Sequence, residues 1–347
     1  MMEGTGTGVN GARVLAPSQL QAWIARILGA HGAGAGAAAA VAEVVAAAER
    51  DGAHSHGVFR MPGYVSSLRA GWVDGAAVAE VAVMAPGLLA VDARNGFAQP
   101  ALAAARGRLI EMARSQGVAV AAIRNSHHFA ALWPDVEPLA EAGLVAIAMC
   151  NSRSLVVPFG GRTALFGTNP MAFACPRASG PPLVWDQASS VMAHGDVLIA
   201  RREGRSVPAG TGVDAHGAST TDPARILDGG ALSTFAGHKG SAVALMVELL
   251  AAGLTGGAFG FEDGSAGVEG AATSRGGEFV LAMDPARLTP GFGGRVEALL
   301  GEILGNGVAR LPGARRLVHR ARSLREGIAL RAADHAMLCE LAPAEAP

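Results

Sequence analysis

The stretch from Asp51 to Gly71, DGAHSHGVFRMPGYVSSLRAG, places two histidines, an arginine and the chain's one tyrosine close together. Imidazole exchanges protons near neutral pH, and a guanidinium fork suits a carboxylate. An Ala-rich helical run, Val41 to Arg50, breaks at Asp51-Gly52, and a second helical pattern starts near Gly57, so His54 and His56 fall at a helix entrance. Arg60, Tyr64 and Leu68 then recur at i, i+4 and i+8 on one helix face. One helical turn sets His56 about 6 Å from Arg60 along the axis. That spacing suits a substrate with a carboxylate beside a reacting oxygen. Read alone, the same residues also fit a helix cap and a solvated arginine.

Other polar groups sit where chemistry is often placed. The run Val118 to Ile123 reads as a strand and delivers the chain to Arg124-Asn-Ser-His-His-Phe-Ala130, where adjacent His127 and His128 must point differently, so one faces a pocket. Leu183-Val-Trp-Asp186 ends a short strand in a carboxylate that needs a His or Arg partner if buried. Lys239 is the one lysine among 28 Lys and Arg, and it stands in Gly237-His-Lys-Gly240 at the start of an apolar helix, Ser241 to Ala252. A compact ammonium beside free helix amides attracts anions.

The elements that position these groups alternate helix and strand. Ser18 with Gln21 forms a capping box after Pro17 for a first helix, and residues 37 to 50 form a second. Strand-like runs Val81 to Met84 and Leu88 to Val91, a helix Phe97 to Gln116, a helix 135 to 142 and a strand Leu144 to Met149 follow. Pro158 to Pro176 reads as turns joining strands, and residues 204 to 230 as a long surface excursion. A strand Glu278 to Ala282 and helices 291 to 304 and 331 to 341 close the pattern, with Leu311-Pro-Gly-Ala-Arg315 a turn carrying a cation. The Gly-x-Gly spacings at Gly4 to Gly8 and Gly32 to Gly36 follow no strand and are not a Rossmann loop.

Composition narrows the function. With 347 residues, half of them hydrophobic, and net charge −1, the chain has room for a large core and no basic footprint for nucleic acid. Cys150, Cys175 and Cys339 are few and apolar in context, so they read as core residues of a cytoplasmic protein. No apolar signal core opens the chain, and the Ala-rich run of residues 33 to 49 is broken by Glu43, so no membrane partner is expected. The partner is a small molecule or a second copy of the chain.

Four motifs in order now carry a resemblance: Ser55-His-Gly-Val-Phe-Arg60 with Tyr64; Arg124-Asn-Ser-His-His-Phe129; Pro158-Phe-Gly-Gly161 with Gly167-Thr-Asn-Pro170; and Asp186-x-Ala-Ser189 followed by Gly237-His-Lys-Gly240. From about residue 17 to residue 340 the chain resembles the malate/L-lactate dehydrogenase family of the non-Rossmann type. That family also includes ureidoglycolate, sulfolactate and diketogulonate oxidoreductases and the reductase of cyclic imino acids. Residues 1–14 are Gly-rich and are expected to be disordered. The resemblance implies an α/β fold with a helical, substrate-binding portion from both chain ends (15–85 and 286–347) and a central mixed-sheet cofactor domain (86–285). It implies hydride transfer between NAD or NADP and C2 of a small 2-keto or 2-hydroxy acid, with a cyclic imino acid (C=N) or a non-enzymatic nucleotide binder as alternatives, in a homodimer.

Residue by residue, His56 resembles the proton donor, backed by Asp186, with His128 a second candidate. Arg60, with Tyr64 on the same face, resembles the carboxylate clamp. Asn151, Ser152, Asp186, Gln187, Ala188, Ser189, Ser190, Lys239, Gly240, Gly313, Ala314 and Arg315 lie where cofactor contacts are expected. No metal is implied. The sequence departs from the family at Ala130, where glycine is usual, at Trp133-Pro134, and at Ala314, where an acidic residue is common. These departures bear on substrate and on NAD versus NADP. Two other readings compete: a metal hydrolase using His54, His56, His127 and His128, and a serine hydrolase whose Ala53-His-Ser55-His-Gly57 nearly matches a nucleophile elbow, though a helix precedes it where a strand is required.

Overall fold

A computed structural model describes residues 13–343. Helices Pro17–Ala30 and Ala35–Arg50 pack through Leu20, Ile24, Ile27 and Leu28 against Val41, Ala42 and Val45. This is the apolar stripe of a 3.6-residue period. The Gln19 side chain, rather than Gln21, accepts from the Ala16 amide at 2.9 Å, so the first helix is capped two residues earlier than its serine suggests. The two chain ends meet: Arg13–Leu15 pairs antiparallel with Ile328–Leu330, and Leu15, Ile328, Leu330 and Leu338 share one core with the N-terminal helices. Arg13 and Val14, placed in the tail by composition, are therefore strand; residues 1–12 lie outside the described residues.

The central sheet has seven strands in the order Glu80–Ala85, Leu88–Phe97, Val118–His127, Arg275–Met283, Val145–Cys150, Met171–Cys175, Leu183–Gln187. Its first strand precedes residue 86. Leu88–Phe97 and Val118–His127 run parallel, joined by helix Ala98–Gln116, and the other neighbours are antiparallel. Every second residue of the inner strands, among them Leu89, Val91, Ala121, Ile123, Ala146, Ala148, Val280 and Ala282, enters a core covered by helices Ala98–Gln116 and Trp133–Glu141.

Two regions differ from the expectation. Residues 204–230 are not a bare excursion: Gly212–Val213 and Ser219–Thr220 join Val156–Val157 and Ala231–Ser233 in a second sheet, and Val207 and Ile226 enter its core. Strands of two residues are too short for alternation to register. The turn at Leu311–Arg315 leads into a further helix, Ala314–Glu326, which buries none of its residues. Ion pairs hold it instead: Arg320 meets Asp51 at 2.6 Å and Glu137 at 2.9 Å, and Arg316 and Arg320 lie 4.4 and 5.3 Å from the Trp133 ring. Cys150 and Cys175 are buried, but Cys339 is exposed. No helix among the described residues is long and apolar enough to cross a membrane.

Candidate active site

The His54–Arg60 segment is not yet α-helix. It takes two successive tight turns, His54–His56 and Val58–Arg60, before helix Met61–Arg69 begins four residues later than Gly57. Glu49 from the preceding helix fixes this geometry: it accepts the Val58 amide at 3.0 Å and contacts His54 Nδ1 at 2.6 Å. A Cβ on Gly57 would lie 2.2 Å from the Glu49 carboxylate, so only glycine fits there. Arg60 is buried, donates from Nε to the Ser55 carbonyl at 2.8 Å and lies 4.4 Å from the centre of the Phe129 ring. Burial lowers its pKa to about 10, with Tyr64 and Asp196 opposing, so it stays charged at neutral pH. Tyr64 is fully buried beneath, edge-on to Phe97 and Phe129. It braces the wall.

The two adjacent histidines separate as alternation requires. His127 is buried against Thr273 and Asn95, each 3.0 Å from a ring nitrogen. His128 Nε2 lies 2.9 Å from Asp135 Oδ2, a carboxylate on helix Trp133–Glu141. Burial opposes charge on His128, yet the Cys150 sulfur and the Asp135 carboxylate outweigh it and hold the pKa well above the ordinary imidazole value. Burial pushes the Cys150 thiol up as well. The neutral thiol leaves Asp135 as the charge that keeps His128 protonated. His56 behaves oppositely: burial, then the positive Arg60 and His128, depress its pKa to about 3, and its Nδ1 lies 3.0 Å from Ser55 Oγ.

His56, Arg60, His128, Phe129, Cys150, Ser152 and His194 line an inner chamber of about 70 Å³. A Cβ on Gly195 would lie 2.7 Å from the Arg60 guanidinium, so glycine lets the chain close over it. His56, Arg60, Ala130 and His194 also line a wider cleft of about 940 Å³ that runs out past Asp186, Gln187 and Ala188 to Gly313, Arg315 and Arg316. Asp186 does not back His56. Its Oδ2 accepts the amides of Leu132 and Trp133, both at 3.2 Å, and Arg316 stands 3.5 Å away, which supplies the arginine partner its position called for.

The structure thus gathers His56, Arg60, His128, Ser152, Asp186, Gln187, Ala188, Gly313 and Arg315 around two connected spaces. It sets others apart. Asn151 is a buried strut between Glu248 and Gly277, Ser189 and Ser190 bond to the backbone at Asn169 and Met192, and Gly240 is buried. Lys239 is exposed at the start of helix His238–Val247, and Ala314 begins the helix beyond the cleft turn. The His54, His56, His127 and His128 rings have four different environments, which removes the metal-hydrolase set. Ser55 sits on a tight turn after a helix, as the objection to an elbow requires. Asp135, Arg316, His194 and Cys150 were not singled out. Asp135, two residues after the Trp133-Pro134 helix start, carries the one local signal: an acid in a first helical turn.

The cleft fits an anionic dinucleotide. It is large enough for one by the usual size of such sites, Trp185 and Ile199 offer apolar surface, and Arg310, Arg315, Arg316 and Arg331 line it. A Cβ on Gly313, at φ +75°, would lie 2.0 Å from the Val184 carbonyl, so the turn presenting Arg315 depends on glycine.

A seven-stranded mixed sheet and a cation-lined cleft that ends at two histidines and a buried arginine fit an α/β oxidoreductase. Residues 15–339 match the profile of the malate/L-lactate dehydrogenase family, to which this chain belongs. It is 56% identical over 325 residues, 93% of this chain and 95% of the relative, to the Delta(1)-pyrroline-2-carboxylate/Delta(1)-piperideine-2-carboxylate reductase of Pseudomonas syringae pv. tomato. The crystal structure of delta1-piperideine-2-carboxylate reductase from the same organism superposes with a TM-score of 0.92 at 55% identity, covering 95% of this chain and 99% of that one. A (2R)-3-sulfolactate dehydrogenase (NADP(+)) of Chromohalobacter salexigens is 45% identical over 270 residues, 78% of this chain and 80% of the relative.

Proposed function

We propose that this oxidoreductase reduces the C=N bond of a cyclic 2-imino carboxylate, with a five- or six-membered ring, to the cyclic amino acid, using NADPH. The reading among the chemistries weighed from sequence thus moves from a 2-keto acid to the imine. The observation that carries it is the pairing, in one small chamber, of a charged buried Arg60 with a neutral His56 and a protonated His128. The high identity to a named imine reductase supports it.

Arg60 takes the carboxylate through its free guanidinium edge and fixes the ring against Phe129. His56, neutral and held through Nδ1 at Ser55, offers its other nitrogen as acceptor to a protonated imine N–H. A keto acid carries no such proton and gains nothing from that acceptor. His128 holds the proton that the ring nitrogen needs, and Asp135 keeps it there. Gln187, Ala188, Arg315 and Arg316 would hold the dinucleotide, and the two exposed cations at Arg310 and Arg315 suit an added 2′-phosphate. The bound cofactor supplies a hydride to C2. The protein's part is to orient, to exclude water and to place one proton on nitrogen.

The test is consumption of NADPH and NADH with 1-piperideine-2-carboxylate, 1-pyrroline-2-carboxylate, pyruvate and oxaloacetate. The imines should exceed the keto acids in kcat/KM by about 100-fold, the scale of about 1–3 kcal/mol for a buried polar group left without its partner. Equal turnover of pyruvate would overturn the C=N reading, and a preference for NADH would overturn the cofactor assignment.

A further inference from the structure

A second cavity, of about 390 Å³, is lined by residues of helices Ala35–Arg50, Ala98–Gln116 and Trp133–Glu141, among them Asp135, the partner of His128. Its mouth carries the exposed residues Ser18, Glu43, Ala103 and Glu141, while Gln99, Trp133, Asp135 and Glu137 on its lining are buried. Asp135 lines this cavity and His128 lines the chamber, and the two touch at 2.9 Å. The His128–Asp135 hydrogen bond therefore joins a residue of one space to a residue of the other.

Behind Asp135 stands Glu278, fully buried in the centre of the sheet. Two-residue alternation along the strand sets its side chain in phase with core residues Val280 and Ala282. The acceptor atoms of Glu278, Asp135 and His128 lie within 4.8 Å of one another. Two carboxyls this close cannot both carry charge in a buried site. Burial, then Asp135, raises the Glu278 pKa to about 8, so it holds a proton at neutral pH. Among the described residues, ten buried side-chain polar atoms lack a protein partner, and six belong to Gln99, Arg106, Trp133 and Glu278, at or behind this cavity. Buried polar atoms in such number beside a polar space are what ordered water satisfies.

We propose that this cavity is a hydrated proton inlet, through which Asp135 and Glu278 take up the proton that His128 gives to substrate, without opening the substrate chamber. The inference rests on the proton-donor role given to His128 above. When His128 passes a proton to the ring nitrogen, the buried cluster is left with one excess negative charge. A proton from the cavity breaks one O–H bond in hydronium and forms one at the carboxyl pair; Asp135 then gives a proton to the ring of His128, breaking an O–H bond and restoring the lost N–H. No electrons move, and the cluster returns to its starting charge. Glu278 is a positioning residue in this scheme, since it acts through Asp135.

The test combines infrared titration of the protein without substrate and steady-state kinetics of Glu278→Gln and Ala103→Leu, the second narrowing the cavity mouth far from the chamber. The expected spectrum has a protonated-carboxyl band that titrates near the raised Glu278 value and is missing in Glu278→Gln. Both variants should lose about tenfold in kcat with KM unchanged, and show a larger solvent isotope effect on kcat than the parent. The spectrum needs no substrate, so it stands or falls apart from the imine assignment. An unaltered band in Glu278→Gln, wild-type kcat and isotope effect in both variants, or a stoichiometric metal ion in the purified protein bound by His128, Asp135 and Glu278 would each overturn the inlet. If Glu278→Gln fails to fold, the wild-type band and Ala103→Leu decide.

Discussion

His56 and His128 line the same chamber, are both shielded from water, and are driven to opposite charge states. Burial works against the charged form in each. What separates them is the sign of the nearest charge: Arg60 faces one, and the Asp135 carboxylate bonds the other. The protein thus obtains an acceptor and a donor from one residue type by placing a guanidinium on one side and a helix-borne acid on the other. Ring position alone would not have told which is which.

The strongest way to break this contrast is to remove the charge that serves both substrate and His56. Arg60→Ala should cost roughly 2–4 kcal/mol of transition-state stabilisation, about 30- to 1000-fold in kcat/KM, because a charged hydrogen-bond partner is lost in a buried site. The same variant should raise the His56 pKa toward its ordinary value, readable by NMR titration of its ring protons. Wild-type efficiency, or an unmoved His56, would remove Arg60 from the site.

Asp135→Asn attacks the other side. His128 would lose the carboxylate that raises it and fall to the neutral form under its own burial. We expect a loss in kcat of about 100-fold, within the usual range for a positioned acid, with little change in KM. Both chamber histidines would then titrate well below pH 6.5. A kcat that survives with His128 neutral would show that the ring nitrogen takes its proton elsewhere.

Much of this was legible in the chain. The residues around His56 and Arg60 were placed by type and spacing, and the separation of His127 from His128 followed from strand alternation. The turn at Gly313–Arg315 was flagged, but the helix beyond it was not, although Ala314, Leu317, Val318, Ala321 and Leu324 recur there at helical spacing; the run is crowded with arginine, and the helix meets the body through guanidinium contacts to Trp133, Asp51 and Glu137. Asp186 was found and given the wrong neighbour: its backbone donors and Arg316 come from segments far away in sequence. Asp135 and Glu278 were missed for a related reason. Asp135 carries only the weak mark of an acid in a first helical turn, because its role is set by its contact with the buried His128, and Glu278 occupies a position whose phase belongs to an apolar core.

His127 provides the third case, a histidine beside the site with no substrate to meet, and the smallest effect. Burial, then Arg275, lowers its pKa to about 3. In the unfolded chain it binds a proton below about pH 6.5, whereas the folded chain refuses one until about pH 3. Stability contributed by its neutral, hydrogen-bonded ring is thus present above pH 6.5 and is lost as pH falls toward 3. For a fully buried ring the linkage amounts to about 2 kcal/mol at pH 5, and His56 and His194, also lowered to about 3, act in the same direction. His128 has the opposite sign: its contribution is full below pH 6.5 and fades as pH rises through its raised folded value. Thermal unfolding from pH 8 to pH 5 should therefore show Tm falling on the acid side, and His127→Gln should make that fall shallower by about 1–2 °C per kcal/mol removed. Asp135→Asn should instead reduce the contribution of His128 and leave the part due to His127 in place. If His127→Gln kept the full acid dependence, the neutral state assigned to that ring, and with it the argument that local charge rather than burial alone sorts these histidines, would fail.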